Sequence, residues 1–405
     1  MVSRLRSPHF RDLALTTSAF GAIVGVQQVL LLPFLAAMTN TDDFSKIILF
    51  VTISAIVANV TGGEAANTAL VRGHQYAREG AAWDFHLLLV PVLAVLAAAW
   101  VVVAPVLNVS SDEIVLFAVI SVLTALRLFL AAPFRYEQRF GTVLVAHLCY
   151  AAGSASALLL VARFDWVLAP FLVGEACAVL VLSVALLAGG RRLHFGVEDR
   201  RRLYRTSTKY LSLASVGLLA NAVGYLDRLI IYPLLGAGAL AVYYAASVLP
   251  KSLALVVNPV TGLLLAKFGA MGDERGGEIL ERLYRVLPWV IIVLTLASLA
   301  IGLLGLQVLY PQFAEEGRPI VLPVSISVGL ASAAYLMQPY VLRFRPSGIA
   351  LMANILYAGV FVGAAVGLSL RVGLHGFAWA TVAAHLVLLG FYLVFARPRT
   401  ERASS

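Results

Sequence analysis

Three charged side chains lie where the chain is otherwise apolar. Asp227 and Arg228 sit side by side in an apolar run from Leu211 to Leu235, and Lys251 follows in the next run, between Pro250 and Pro259. Charge is costly in hydrocarbon, so ionisable residues in such runs face protein or a water-filled path and mark the route of an ion or polar solute. Two cations against one anion leave net positive charge, the chemistry of an anion site. A guanidinium suits bidentate contact with phosphate; an ammonium acts as a point charge. Neutral polar residues join them at helical spacing. Tyr244, Lys251 and Asn258 form one stripe, and Asn221, Tyr225 and Arg228 another. Gln28 aligns with Gly21 and Gly25, and Thr52 with Asn59. The candidate substrate-binding residues are therefore Arg228, Lys251, Asp227, Asn221, Gln28, Asn59 and Asn258. For the neutral members the competing role is hydrogen bonding between helices. Asp227 serves either to neutralise a neighbouring cation or to carry a coupling proton.

Other polar residues are less suited. Arg127 lies about six residues from the end of its run and is placed to snorkel to the surface. Glu64 follows Gly62-Gly63 near the inner surface; Glu175 is deeper. His147 and His385 are each alone in their runs and are expected to pack rather than ligate. Cys149 and Cys177 read as small packing residues. There is no His-Glu-x-x-His, Walker A or Gly-x-Ser-x-Gly pattern, so no catalytic residue, metal or cofactor is expected, and the chain does not read as an enzyme. Gly359, Gly363 and Gly367 recur every fourth residue and suggest close helix packing.

The elements that hold these residues follow from composition. The chain has 405 residues, 61% hydrophobic and 13% charged, with mean hydropathy +0.91; a soluble domain carries about 25% charged residues. This predicts an all-α integral membrane protein. Twelve spans are expected, near 13–35, 45–69, 85–107, 114–133, 143–162, 167–187, 210–235, 239–266, 287–309, 320–341, 349–369 and 374–395. The first is longer than a signal-peptide core and reads as an uncleaved helix. Three regions result: an N-terminal six-helix lobe (1–190), a basic cytoplasmic linker (191–209) and a C-terminal six-helix lobe (210–405). The net charge of +9 reflects basic loops on the cytoplasmic side rather than nucleic-acid binding. With both termini cytoplasmic, only Lys46, Arg163, Arg318 and Arg371 fall outside, and Arg127, Arg228 and Lys251 fall within spans.

The chain also repeats itself at an offset near two hundred residues. Pro33 matches Pro233, Gln27-Gln28 matches Asp227-Arg228, Thr52 matches Lys251, and Asn59-Val60-Thr61-Gly62 matches Asn258-Pro259-Val260-Thr261-Gly262. Tyr150 matches Tyr357. Six spans per half keep both halves in one orientation, and such folds place substrate between the halves.

Several segments resemble bacterial polysaccharide-unit flippases, which export undecaprenyl-diphosphate-linked oligosaccharides and share a superfamily with the multidrug and toxin extruders. They are Tyr225-Leu226-Asp227-Arg228-Leu229-Ile230-Ile231, Val242-Tyr243-Tyr244-Ala245-Ala246, Gly373-Leu374-His375-Gly376-Phe377-Ala378-Trp379-Ala380-Thr381, and Gly62 through Arg72 with Ala69-Leu70-Val71. The resemblance implies two six-helix lobes around a central V-shaped cavity bearing basic residues, a role that suits Arg228 and Lys251. It implies a polyprenyl-(di)phosphate-linked oligosaccharide as substrate, membrane lipids as surroundings, and polysaccharide polymerase and glycosyltransferase partners. The location implied is the bacterial cytoplasmic membrane. Gln27-Gln28 departs from the family by replacing a charge in the first lobe. The alternative reading is a cation-coupled drug or metabolite antiporter of the same superfamily, which commonly needs a deep acidic residue that the first span lacks. A membrane glycosyltransferase, polymerase or ligase would need an acidic catalytic cluster or a large outer loop, and neither is visible.

Overall fold

The computed structural model describes residues 8–79, 85–107, 110–189, 199–253, 276–346 and 348–396, with positions 257, 260, 261, 264, 265 and 268 between the last segments but two. Helix accounts for nearly all of it, and no strand occurs among the described residues. Two compact units form, residues 1–40 with 46–225, and residues 41–45 with 226–405.

In the first unit, α1 (Pro8–Gly25) runs through a π-helical turn at Val26–Leu31 into α2 (Leu32–Met38). α3 (Thr41–Ala58) repeats the device, with a π turn at Asn59–Gly63 leading into α4 (Glu64–Arg78). Pro33 sits in the first turn of α2, which continues directly from the π turn, so its missing amide removes one rung of the helical ladder there. α5 (His86–Leu107), α6 (Ser111–Leu130), α7 (Ala132–Tyr136), α8 (Phe140–Ser156), α9 (Leu158–Phe164), α10 (Ala169–Ala188) and α11 (Arg200–Gly224) follow. Ser110 and Glu113 close a reciprocal capping box at the start of α6, satisfying amides that the helix leaves open. Phe50, Trp100, Phe117 and Phe171 form an aromatic core. The Trp100 indole N–H donates to Ser121 Oγ at 2.9 Å, and Ser121 bonds Ser54 at 2.8 Å. Gly62 is required by close approach: a Cβ there would fall 2.0 Å from the carbonyl oxygen of Ala125 on α6.

The second unit holds α12 (Leu226–Ser252), α13 (Gly276–Leu309), a 3₁₀ turn at Pro311–Phe313, α14 (Ala314–Phe344) and α15 (Gly348–Ala396). α14 is its centre: 78% of its most apolar window is buried, against 22% for α13 and for α15. Gly236 (φ 86°, ψ 179°) interrupts α12 and Gly373 (φ 62°, ψ −140°) interrupts α15. Side chains rarely tolerate such φ values, and both glycines stand where the sequence pattern places a turn between spans. Residues 41–45 pack here, with Phe44 stacked on Phe313 at 5.9 Å and the Ser45 hydroxyl donating to the Ala237 carbonyl at 2.6 Å.

Nine helices among the described residues are long and apolar enough to cross a membrane. The difference from twelve spans has physical causes. α15 covers two expected spans around Gly373. The expected seventh span is broken, because α11 ends at Gly224 and Tyr225 leaves helical geometry (φ −112°, ψ 10°). The third appears only as the shorter apolar stretch Leu87–Ala98. The unit boundary falls at that break, so α11 groups with the first unit, whereas the sequence pattern opens the second lobe at residue 210. The glycine stripe also departs from expectation. A Cβ added at Gly359, Gly363 or Gly367 would meet no atom within 4 Å, so these positions pack against no neighbouring helix in the described chain.

Candidate functional site

Asp227 lies in the first turn of α12 and Lys251 in its last. In a straight helix they would stand about 36 Å apart, at roughly 1.5 Å per residue. The non-helical backbone at Gly236 turns the chain back, and Lys251 Nζ donates to Asp227 Oδ2. Lys251 also donates to Tyr243 Oη at 3.0 Å. Tyr243 is fully buried and held edge-on to Phe377 at 5.3 Å. Arg228 places its guanidinium 4.9 Å from the centre of the Tyr244 ring, a cation–π contact. Tyr244 is walled by Phe44 and Tyr310. One carboxylate thus stands among two cations, each on the face or hydroxyl of a tyrosine.

A neutral polar cluster lies beside this group, within electrostatic reach of Asp227 and Lys251. His385 Nδ1 is 2.9 Å from both Ser327 Oγ and the Thr381 carbonyl oxygen. The Tyr357 ring lies 4.8 Å from the imidazole.

The first unit carries a charged counterpart. Arg127 is buried, and so is Glu175. Arg127 Nε and Nη2 donate to the two oxygens of Glu175 at 2.7 and 3.1 Å, and Thr124 Oγ1 adds a third bond at 3.0 Å. The guanidinium lies 5.5 Å from the Tyr150 ring centre, and Gln27 Nε2 donates to Tyr150 Oη at 2.7 Å. Arg127 therefore does not snorkel. A bidentate partner on α10 holds it inside, which offsets the desolvation that would drive it to the surface. The repeat explains the correspondence: Tyr150 answers Tyr357, and an α6–α10 polar pair answers the Ser327–His385 pair between α14 and α15.

A third group joins α11 to the second π turn. Asn59 Nδ2 donates to Asn221 Oδ1 at 3.3 Å, and Asn221 Nδ2 donates to the Gly217 carbonyl at 2.8 Å. A π turn frees backbone carbonyls, and Tyr210 Oη donates to that of Val60 at 3.4 Å. The Glu64 carboxylate accepts from Asn67 at 3.0 Å and rests on Gly217, where a Cβ would fall 2.5 Å from Oε1. Glu64 lies on the helix Thr41–Tyr76, which is long and apolar enough to cross a membrane. No ion pair of Glu64 occurs among the described residues.

The structure thus sorts the expected site residues. Asp227, Arg228 and Lys251 come together. Asn59 and Asn221 pair with each other in the other unit, and the break at Tyr225 separates Asn221 from Arg228, so that stripe is not continuous. Gln28 is half-buried in the first π turn, while its neighbour Gln27 makes the contact with Tyr150. Asn258 lies outside the described residues. His147 Nδ1 meets the Ala19 carbonyl oxygen at 2.9 Å, as a packed histidine does, and no group of three metal-ligating side chains occurs among the described residues. Arg127, Glu175, Tyr150 and Tyr243 were not among the expected site residues. The repeat points to Tyr150, which it sets against Tyr357; it gives no signal for Arg127 or Glu175.

No protein-family model and no curated protein sequence matches the chain. Solved structures do share its fold. A multidrug resistance MATE family transporter of the MOP superfamily, in an inward-facing conformation, superposes with a TM-score of 0.70 at 13% identity, covering 95% of this chain and 96% of that one. The lipid II flippase MurJ, in an inward closed conformation, gives 0.65 at 10% identity over 96% and 86%. The Vibrio cholerae MATE transporter VcmN in its bent form gives 0.59 at 12% identity over 95% and 97%. The fold is therefore the one shared by MATE transporters and MurJ.

Proposed function

We propose that this chain is a flippase of the MOP superfamily. It moves a polyprenyl-phosphate-linked oligosaccharide from the cytoplasmic to the outer face of a bacterial inner membrane during cell-surface polysaccharide synthesis. It is a transporter, not an enzyme, and both termini are cytoplasmic. Glycosyltransferases supply its substrate, and a polymerase consumes the product.

The observation that carries this reading is the Asp227–Lys251–Arg228 group. Its net positive charge suits a phosphate, and the tyrosines beside it suit sugar rings, which stack on aromatic faces and hydrogen-bond to hydroxyls. Arg228 gives planar two-point recognition and Lys251 a point charge. Asn221, Asn59, Gln28 and Asn258 are the further candidates for sugar hydroxyls. The fold shared with a lipid II flippase is compatible with a lipid-linked substrate.

The test is the pool of lipid-linked oligosaccharide. Depleting the protein should make that lipid accumulate on the cytoplasmic face, and Arg228→Ala should reproduce the accumulation with folded protein in the membrane. No accumulation in either strain sinks the proposal.

Cation-coupled antiport is the second reading, and Glu64 is the observation that favours it. The buried carboxylates Glu175 and Asp227 each hold an internal cation, whereas Glu64 accepts from the Asn67 amide and has no ion pair among the described residues. Vesicle transport separates the two readings. An inside-negative potential drives an anionic headgroup outward by roughly 2.3 kcal/mol per charge at about 100 mV. The flippase should respond to potential with the pH gradient collapsed; a strict need for a proton or sodium gradient, lost in Glu64→Gln, establishes the antiporter.

A further inference from the structure

The turn between α13 and α14 carries a cavity of about 340 Å³ that the candidate site does not use. Leu303, Leu306 and Gln307 line it from the end of α13, and Ala314, Glu315 and Arg318 from the start of α14. The turn that joins its two walls is held in place. Tyr310 is fully buried, its amide bonded to the Leu306 carbonyl oxygen at 3.2 Å. Phe313 is held by its stack on Phe44. A helical hairpin ends at a membrane surface, so the cavity opens at the boundary between hydrocarbon and headgroups. The adjoining face of α13 is built for lipid: Leu296, Leu304 and Val308 are all more than half exposed.

Glu315 and Arg318 are three residues apart, hence neighbours on one helix face. Both are exposed, and they form no ion pair with each other. The cavity therefore presents one anion and one cation side by side above an apolar floor of Leu303 and Leu306. That pattern is complementary to a headgroup carrying both a phosphate and a primary ammonium. Acyl chains would continue along the exposed leucines and valine of α13. The charge around the cavity decides between headgroups. Glu316 adds a second carboxylate in the same turn. An acidic rim repels a purely anionic lipid, whereas a headgroup with its own cation is accepted.

We propose that this cavity is a binding site for a zwitterionic aminophospholipid. Arg318 takes its phosphate, Glu315 its ammonium, and Gln307 an ester or phosphate oxygen. The site is independent of the transported substrate.

Thermal unfolding of the purified full chain in detergent tests this, with added phosphatidylethanolamine, phosphatidylcholine or phosphatidylglycerol of identical acyl chains. Phosphatidylethanolamine should raise the melting temperature most. Its primary ammonium donates hydrogen bonds to Glu315, and a quaternary choline cannot. The lost charge-assisted bond is expected to weaken apparent affinity about tenfold. Arg318→Ala should abolish the stabilisation. Glu315→Gln should leave the three lipids equal or favour phosphatidylglycerol. Glu316→Gln, an exposed neighbour outside the cavity lining, should keep the preference and so reports that the fold is intact. Equal stabilisation of the unaltered chain by ethanolamine and choline lipids overturns the proposal. So does a preference for phosphatidylglycerol, or a preference that survives Arg318→Ala.

Discussion

Replacing Lys251 with methionine leaves the Asp227 carboxylate buried without its ammonium. Removing one partner of a fully buried ion pair costs about 3–5 kcal/mol. Here the Lys251 side chain is 33% exposed and that of Asp227 10%, so solvent screens part of the interaction and the cost is about 2–3 kcal/mol. For a folding unit of this size each kcal/mol moves the melting temperature by about 2–4 °C, which gives a fall of roughly 5–10 °C for Lys251→Met. Melting of the purified protein followed by tryptophan fluorescence reads this directly. Asp227→Asn should cost less, because the ammonium keeps Tyr243 and some solvent. The double variant Asp227→Asn, Lys251→Met removes both charges and should be more stable than Lys251→Met alone, giving a coupling between the sites. Export should not recover with stability, since the ammonium is gone. Losses that simply add in the double variant refute the pair as a stabilising contact. A double variant that exports at the normal rate refutes Lys251 as a substrate ligand.

The Arg127–Glu175 pair is more deeply buried, so Arg127→Met or Glu175→Gln should each cost about 3–5 kcal/mol and their combination less than either; a chemical-denaturation or thermal series checks the order. Gly62→Ala drives a methyl into the Ala125 carbonyl oxygen, 2.0 Å from the ideal Cβ, and should fall at the upper end of the about 1–3 kcal/mol cost of overpacking. Gly236→Ala meets no atom within 4 Å but must hold φ near 86° with ψ near 179°, a region used essentially only by glycine, so its cost is backbone strain alone, about 1–3 kcal/mol, and an unchanged melting temperature would contradict this. Cysteines placed at Asp42 and Glu315 should react with an impermeant reagent applied outside sealed cells, while one at Arg345 should not; the reverse pattern inverts the topology.

Hydropathy made most of the helices legible, because a bilayer-crossing segment advertises itself over some twenty residues. Asp227, Arg228 and Lys251 were legible as one charged group in neighbouring apolar runs, but which cation Asp227 would take was not; the turn of the backbone at Gly236 gives it to Lys251. The α11 break was less visible. Tyr225 carries no breaker of its own, and the signal is Gly224, which permits the helix to end there. Arg127 and Glu175 lay beyond sequence reading because they come from helices separated by α7, α8 and α9, and no local pattern reports which faces will meet. Their burial reverses the placement suggested by distance from a span end. The π turns had partial signals: the first directly precedes Pro33 and the second ends in Gly62-Gly63. Neither residue type specifies a π turn, which depends on a tertiary partner that donates to the freed carbonyl, as the Tyr210 hydroxyl does to Val60.

The Lys251 ammonium already has a carboxylate and a phenol when no substrate is present. On the flippase reading proposed above, an incoming phosphate would not fill an empty site; it would displace Asp227 in an exchange of one anion for another. The binding energy measured is the difference between two similar contacts, so affinity stays modest even where each contact is strong. The same carboxylate stands ready to take the ammonium back when the phosphate leaves. Release is thus assisted by a resident competitor on the same helix, and a carrier built this way trades tight capture for rapid turnover.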